Sequence, residues 1–411
     1  METVKFDMTK ECTPFKLLNA TNGGPWHTRH ATDQWRSNFS DYKAARIPYS
    51  RNHDSNISGS VYGGPYAHDI SVIFPDFSAD VNDPDSYDFA CTDESILTTL
   101  EAGTKTFFRL GQSIEHQIKK HGTLPPADFK KWAVICEHII RHYNEGWADG
   151  FRLDMDYWEI WNEPDGQWCW KTGVSPEEYG DFALATARAI HEADPEAKAV
   201  AGVLCYVNLP YFKRMLDRGV AAEADAVSFH RYNANELDAL TEMHALRALI
   251  DRYNPKVQII QGESGTQSDS RGAGALRGGA WTPLKQAKYL LRHRLIDLST
   301  DMVFTSHFSA MDMIEALNGK VGDKASYLDF GYFGVIQADF NEEGLATGEY
   351  TPKPSYRALQ HLCTLFDGKA QPEQLQELLA FAEEAFRTPE GKVVLFRPDK
   401  NAQRMINTNH R

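Results

Sequence analysis

The amino-acid sequence predicts an α/β protein, because short apolar runs alternate with longer segments of helical periodicity. The apolar runs are nearly continuous, which is typical of parallel strands buried on both faces. They cover residues 15–19, 45–49, 106–111, 157–161, 199–204, 226–230, 257–261 and 302–306. Eight strand–helix units of this kind indicate a (β/α)8, or TIM, barrel.

The predicted helices lie between the strands, and one carries a clear start signal. Residues 175–178, Ser-Pro-Glu-Glu, form a capping box with proline at the first helical position, which predicts a helix through residue 190. Apolar spacing predicts further helices over residues 129–143, 237–253, 283–298 and 354–366. A doubly wound open sheet is the alternative, but residues 22–25 give only a turn signal where that fold would place a glycine-rich phosphate turn.

The barrel is predicted to span residues 15–366, because an Asp-Gly pair breaks the last helix directly afterwards. Beyond it lie an amphipathic segment at 373–386 and a lone strand pattern at 392–396. A single strand cannot make a domain. Residues 1–14 and 367–411 are therefore expected to form a small accessory β-element, or to include the stump of a larger C-terminal β-domain.

Composition narrows the class of partner. The 411 residues carry a formal charge of −14, which disfavours nucleic acid and anionic membranes because both require clustered Lys and Arg. No apolar signal segment or spanning run is visible, and the six cysteines have no metal-site spacing. A cytoplasmic protein with mostly free thiols is expected. Nothing in the sequence indicates the oligomeric state.

Two acidic residues stand at the predicted C-terminal ends of strands four and seven, namely Glu163 and Glu263. These strand ends converge on one mouth in a barrel, so both carboxyls are expected to face the same pocket. Cleaving a glycosidic bond needs such a pair, one to protonate the leaving oxygen and one to face the anomeric carbon. The acid needs a raised pKa, which burial and the neighbouring carboxylate would provide.

Four short motifs resemble those of clan A glycoside hydrolases. Residues 161–164, Trp-Asn-Glu-Pro, are similar to the acid/base motif of the fourth strand, and residues 261–265, Gln-Gly-Glu-Ser-Gly, to the nucleophile strand. Residues 51–53, Arg-Asn-His, and 230–232, His-Arg-Tyr, resemble signatures of family 39, the β-xylosidase and α-L-iduronidase family. The resemblance covers roughly residues 15–366 and implies that Glu163 is the general acid/base and Glu263 the nucleophile.

The resemblance also implies roles for the neighbouring residues. Asn162 would hydrogen-bond the sugar 2-hydroxyl, and Tyr232 would hold Glu263 in place. The glycone subsite would be shaped by Arg51, His53 and His230. Independently of the resemblance, the aromatic residues Trp168 and Trp170 on the strand-four loop are candidates for stacking on sugar. Glycine-rich residues 265–283 predict a mobile loop over the mouth, where Arg271 and Arg277 are candidates for meeting a carboxylate-bearing sugar.

The function expected from these residues is a retaining glycoside hydrolase that cleaves β-linked, xylose-like glycosides by double displacement, with no cofactor and no metal. A uronidase, an α-L-arabinofuranosidase and an endo-β-glycanase stay open, because loops decide such specificity. A sugar-binding barrel without catalysis is the alternative from another class. A phosphate-binding barrel isomerase or aldolase is a third, but no Lys stands at a predicted strand end.

Overall fold

Eight parallel strands close into a barrel in which each strand pairs with its neighbours in sequence and the eighth pairs with the first. The computed structural model describes residues 16–25, 37–52, 68–112, 123–272, 274–315, 329–340 and 346–366. Helices surround the barrel. The predicted (β/α)8 class is therefore confirmed.

The barrel strands are β1 Asn19–Asn22, β2 Tyr49–Arg51, β3 Lys105–Leu110, β4 Tyr157–Ile160, β5 Lys198–Leu204, β6 Ala226–Arg231, β7 Gln258–Ser264 and β8 Thr305–His307. The predictions for β3 to β7 agree within a few residues. The predictions for β1, β2 and β8 begin too early. These three strands end in Asn22, Arg51 and His307, which are polar yet buried. A strand predicted from apolar residues alone ends before such polar residues, so the predicted bounds of these three strands lie too far towards the N-terminus.

The helices are α1 Phe39–Ala45, α2 Ile70–Ile73, α3 Ala90–Glu101, α4 Phe129–Asn144, α5 Pro176–Ala193, α6 Leu209–Leu216, α7 Asp238–Ile250, α8 Pro283–Leu298 and α9 Pro354–Leu365. The five predicted helices are all present. Ala45, predicted to begin a strand, is instead the last residue of α1, because residues 39–45 continue as a helix before the chain turns into β2.

The barrel interior is layered. The layer farther from the C-terminal strand ends is apolar. It consists of residues from six strands and the residue directly before β8, namely Ala20, Phe107, Tyr157, Val200, Ala226, Ile260 and Phe304. Alternate residues of a barrel strand face inward. Glu159 therefore faces the interior two residues after Tyr157, and Ser228 does so two residues after Ala226. Both are fully buried. The apolar layer thus supports a polar layer nearer the C-terminal strand ends.

Two antiparallel strand pairs follow the barrel before α9. β9 Met313–Glu315 pairs with β10 Asp329–Gly331, and β11 Ile336–Phe340 pairs with β12 Ala346–Pro352. Neither pair was predicted. The accessory β-element predicted from residues 1–14 and 367–411 lies outside the described residues.

Two expectations from composition can be compared with the structure. Five cysteines within the described ranges are free thiols, namely Cys91, Cys136, Cys169, Cys205 and Cys363. Across those same ranges, no helix combines the length and the apolar character that crossing a bilayer requires. The cytoplasmic location stays a prediction.

Ser175 caps α5 as predicted, since its hydroxyl accepts a hydrogen bond from the Glu178 backbone N–H at 3.1 Å. We expect Ser175→Ala to lower the free energy of unfolding by about 1 kcal/mol, because an N–H of the first turn loses its partner. Urea unfolding followed by circular dichroism measures the change. Ser175→Asp is the control and should retain the stability, since aspartate caps equally well. An unchanged Ser175→Ala midpoint would contradict the cap's contribution.

Candidate active site

Arg51 is the centre of the polar layer. Its fully buried guanidinium donates from Nε to Glu159 Oε2 at 2.6 Å and from Nη2 to Asn162 Oδ1 at 2.6 Å. Nη1 donates to Asn22 Oδ1 at 2.9 Å and to Glu263 Oε1 at 2.8 Å. One cation at the end of β2 therefore orients groups from β1, β4, β7 and the loop after β4.

Glu263 lies on β7 with both carboxyl oxygens held. Oε1 accepts from Arg51, and Oε2 accepts the Tyr232 hydroxyl at 2.7 Å. Tyr232 in turn packs edge-on against Phe308 and Phe333, with ring centroids 6.4 Å and 6.0 Å away. Charge-assisted bonds to both oxygens fix the rotation of the carboxylate and leave little freedom for it to turn.

Glu163 sits on an unusual backbone after β4. Its φ is +42°, and Trp161 at +70° and Val203 at +53° also occupy the left-handed region. Such conformations are unfavourable for non-glycine residues and concentrate at functional sites, where the surrounding structure enforces them. Here the Glu163 backbone N–H donates to the Val203 carbonyl at 2.9 Å. This hydrogen bond therefore connects the turn that carries Glu163 to the end of β5.

The Glu163 carboxyl has a different environment from that of Glu263. Oε1 lies 2.7 Å from His230 Nδ1, and Oε2 accepts from the Trp168 indole N–H at 2.5 Å. Burial raises the pKa of Glu163, while the Trp168 hydrogen bond, the Arg51 charge and a Cys169 contact lower it in part. The net direction is upward, as predicted from the sequence. The predicted cause is half right, since burial is responsible and the neighbouring carboxylate is not among the causes.

His230 lies between the two carboxyls. Its Nδ1 is 2.7 Å from Glu163 Oε1 and 3.6 Å from Glu263 Oε2, and one atom from each of the three residues lies within 4.8 Å of the others. Burial lowers the pKa of His230, which favours the neutral imidazole, while the Glu263 charge acts in the opposite direction. Three such atoms could in principle hold a metal ion. However, Arg51 and Tyr232 already occupy both Glu263 oxygens, and the guanidinium charge opposes a second cation.

The structure separates the two tryptophans predicted to stack on sugar. Trp168 is 54% exposed beside Glu163, so a face of its indole is available. Trp170 is 1% exposed and packs against Phe129 and Phe182 between the barrel and its helices. The prediction for Trp170 is therefore wrong, because its ring is a core residue with no face left for a ligand.

Of the remaining predicted residues, four lie close to the Glu163 and Glu263 carboxyls. Arg51, Asn162, His230 and Tyr232 all lie within the polar network of the two carboxyls. His53 lies outside the described residues. Arg271 and Arg277 are exposed, and Arg271 pairs with Asp269 through two hydrogen bonds and covers the Tyr332 ring.

Sequence reasoning missed three residues of the network, namely Asn22, Glu159 and Cys169. Cys169 Sγ accepts from Asn162 Nδ2 at 3.1 Å and lies 3.9 Å from Glu163 Oε2. Asn22 and Glu159 bond Arg51. A signal existed for Glu159, because it is the one charged residue within β4 and shares the inward period of Tyr157. No comparable signal marked the other two.

The similarity of this chain to known proteins is seen in their solved structures and concerns the fold. No protein-family model and no curated protein sequence matches the chain. Among solved structures, a glucosidase from Croceicoccus marinus is similar with a TM-score of 0.63 and 20% identity, over 86% of this chain and 68% of that chain. A GH39 β-xylosidase from Caulobacter crescentus has a TM-score of 0.56 and 17% identity, over 87% and 73%.

An α-L-arabinofuranosidase from Thermotoga maritima is also similar, with a TM-score of 0.54 and 15% identity over 86% of this chain and 70% of that chain. The chain shares its barrel with these glycoside hydrolases. The expected likeness to clan A and to family 39 is confirmed at the level of the fold.

Arg51→Met would leave Glu159 and Glu263 buried without their counter-charge. We expect the free energy of unfolding to fall by about 3–5 kcal/mol, because an unpaired buried charge is strongly unfavourable. Urea unfolding measures the loss. Arg214→Met is the matched control, since its bidentate pair with Glu177 lies at the surface and contributes little. If both variants lost the same small amount, Arg51 would not have the central role described.

Trp168→Phe removes the hydrogen bond that lowers the pKa of Glu163, so we expect that pKa to rise further. Titration of the Glu163 carboxyl carbon by ¹³C NMR in a glutamate-labelled protein measures the shift. Trp281→Phe is the control, because that indole N–H donates to the Leu276 carbonyl, a backbone group outside the network. A Glu163 pKa that stays constant or falls in Trp168→Phe would show that the bond does not act on this carboxyl.

Proposed function

We propose that the chain is a retaining glycoside hydrolase in which Glu263 is the nucleophile and Glu163 the general acid/base. One observation carries the proposal, namely that oxygens of the two carboxyls and His230 Nδ1 between them all lie within 4.8 Å of one another. Retaining enzymes separate their carboxyls by about 5–5.5 Å, whereas inverting enzymes need about 6.5–9.5 Å to admit a water molecule. The short spacing supports retention.

The different environments of the two carboxyls support this assignment of roles. Glu263 is oriented by Arg51 and Tyr232, which suits a nucleophile that must remain ionised and aimed at one carbon. Glu163 has a pKa raised by burial, which suits an acid that must hold a proton before the reaction.

The proposed reaction has two steps. Glu263 attacks the anomeric carbon and forms an ester to the sugar, while Glu163 transfers its proton to the departing glycosidic oxygen. Glu163, now ionised, then takes a proton from water as the water attacks the anomeric carbon and releases Glu263. Arg51 keeps Glu159 as an ionic partner throughout. Its charge therefore stays compensated while Glu263 is esterified and neutral.

A β-linked, xylose-like glycoside is the substrate that we propose first, on the motif resemblance. Asn162 supports the proposal, because Arg51 and Cys169 hold both ends of its amide and leave one N–H of Nδ2 for a sugar hydroxyl. The half-exposed Trp168 offers an aromatic face beside Glu163. The similar glucosidase and arabinofuranosidase structures justify testing other sugars alongside xylose.

A panel of aryl glycosides tests the proposal and should include β-xyloside, β-glucoside, α-L-arabinofuranoside and β-glucuronide. We expect hydrolysis of the β-xyloside, with the β-anomer seen first by proton NMR. Glu263→Ala should show no turnover, and Glu163→Ala should lose about 10²–10⁴-fold in rate on a poor leaving group. Azide should rescue Glu163→Ala on a good leaving group and yield a β-glycosyl azide.

Glu196→Ala is the matched control, since this carboxylate is exposed, and its activity should equal that of the wild type. An α-anomer as the first product from a β-glycoside would refute the nucleophile assignment. Sugar binding without any hydrolysis by the wild type would instead support a sugar-binding barrel.

A further inference from the structure

Beneath the two carboxyls, three polar atoms in the barrel interior have no hydrogen-bond partner among the described residues. They are Glu159 Oε1, Ser228 Oγ and His230 Nε2. All three residues are fully buried. Buried polar atoms in folded proteins are almost always paired, with protein or with an ordered water molecule. Each of these atoms therefore calls for a partner.

The three atoms converge on one point beside Gly262 on β7. A methyl group placed on that glycine would lie 2.6 Å from Ser228 Oγ, 3.1 Å from Glu159 Oε1 and 3.2 Å from His230 Nε2. Gly262 is not among the glycines with positive φ. Its lack of a side chain is therefore required by the close approach of Ser228 Oγ, and not by the backbone.

We propose that one water molecule lies between these three unpaired atoms, clear of Gly262 Cα, and that the water sets the tautomer of His230. Buried water typically makes about three hydrogen bonds to otherwise unpaired groups. Here it would accept from the Ser228 hydroxyl and donate to Glu159 Oε1 and His230 Nε2. Glu159 Oε2 is already bonded to Arg51, so the water completes the pairing of that carboxylate. Glu159 and Ser228 are then positioning residues, because they act on the site through His230.

The tautomer matters because the opposite side of the imidazole faces the carboxyls. Nδ1 lies 2.7 Å from Glu163 Oε1, so a proton on Nδ1 has an acceptor there, whereas Glu263 Oε2 at 3.6 Å is beyond hydrogen-bond distance. With its proton on Nδ1, His230 donates to Oε1, so the ring cannot accept the Glu163 proton, which stays available to the leaving group. With its proton on Nε2, Nδ1 would instead accept the Glu163 proton and direct it away from the leaving group.

This inference rests on the proposed function for its consequence, but the water and the tautomer can be tested without activity. In the wild type, ¹⁵N NMR of ring-labelled histidine should show Nδ1 protonated and Nε2 unprotonated at His230. A high-resolution crystal structure should show a water within hydrogen-bond distance of all three atoms. A protonated Nε2, or an ordered site without water, would overturn the inference even if the enzyme is active.

Ser228→Val tests the consequence, since its bulk expels the water and leaves Glu159 Oε1 as an acceptor that favours a proton on Nε2. We expect His230 to change tautomer. We expect kcat/KM to fall by about 10²-fold on a phenyl glycoside and by less than about 2-fold on a 2,4-dinitrophenyl glycoside, which departs without a proton. A structural defect would lower both rates, and equal losses would overturn the positioning role.

Two further variants serve as a matched control and as a replacement if Ser228→Val does not fold. Ser355→Val, at a buried serine on α9 that bonds Gln286, is the matched control and should retain the wild-type tautomer and leaving-group dependence. Should Ser228→Val fail to fold, Ser228→Ala keeps the space while removing the donor, and a loss confined to the phenyl glycoside is again expected. If the wild type cleaves no glycoside, the proposed function fails, whereas the NMR result still decides the tautomer.

Discussion

The structure depends on one buried guanidinium that forms ion pairs with two carboxylates at once. Arg51 bonds Glu159 on one side and Glu263 on the other, and its remaining donors hold Asn22 and Asn162. A barrel interior could not otherwise accommodate two ionised carboxyls so close together, because desolvation of unpaired charge is prohibitive. The same contacts that make the polar layer stable also set where each functional group lies.

The sequence predicted the fold well wherever strands are apolar on both faces. β3 to β7 fit that description, whereas β1, β2 and β8 end in inward polar residues and were placed too early. The site was predicted through residues that belong to recognisable motifs, such as Glu163, Glu263 and Tyr232. Glu159 and Ser228 were missed because each lies within a strand that reads as apolar, where only the two-residue period reveals the side that faces inward.

Tertiary packing decided what the sequence could not. Trp168 and Trp170 are two positions apart on the same loop, and nothing local distinguishes them. Trp170 fits between α4 and α5, while Trp168 is left outside and bonds Glu163. Similarly, the strand pairs between β8 and α9 were missed although β11 alternates apolar and polar residues over 336–340, because the barrel strands were predicted from nearly continuous apolar runs.

The end of β5 is joined to the Glu163 turn twice. Val203 accepts the Glu163 N–H, and Cys205 donates from both its backbone N–H and its thiol to Asp165. These hydrogen bonds therefore hold the loop after β4 and the end of β5 in a fixed arrangement relative to each other. Substitutions at the rim of β5, which touch no part of the reacting groups, can reorient the proton-bearing carboxyl from outside. For an engineer, this rim offers indirect control over leaving-group preference while the sugar pocket itself stays intact.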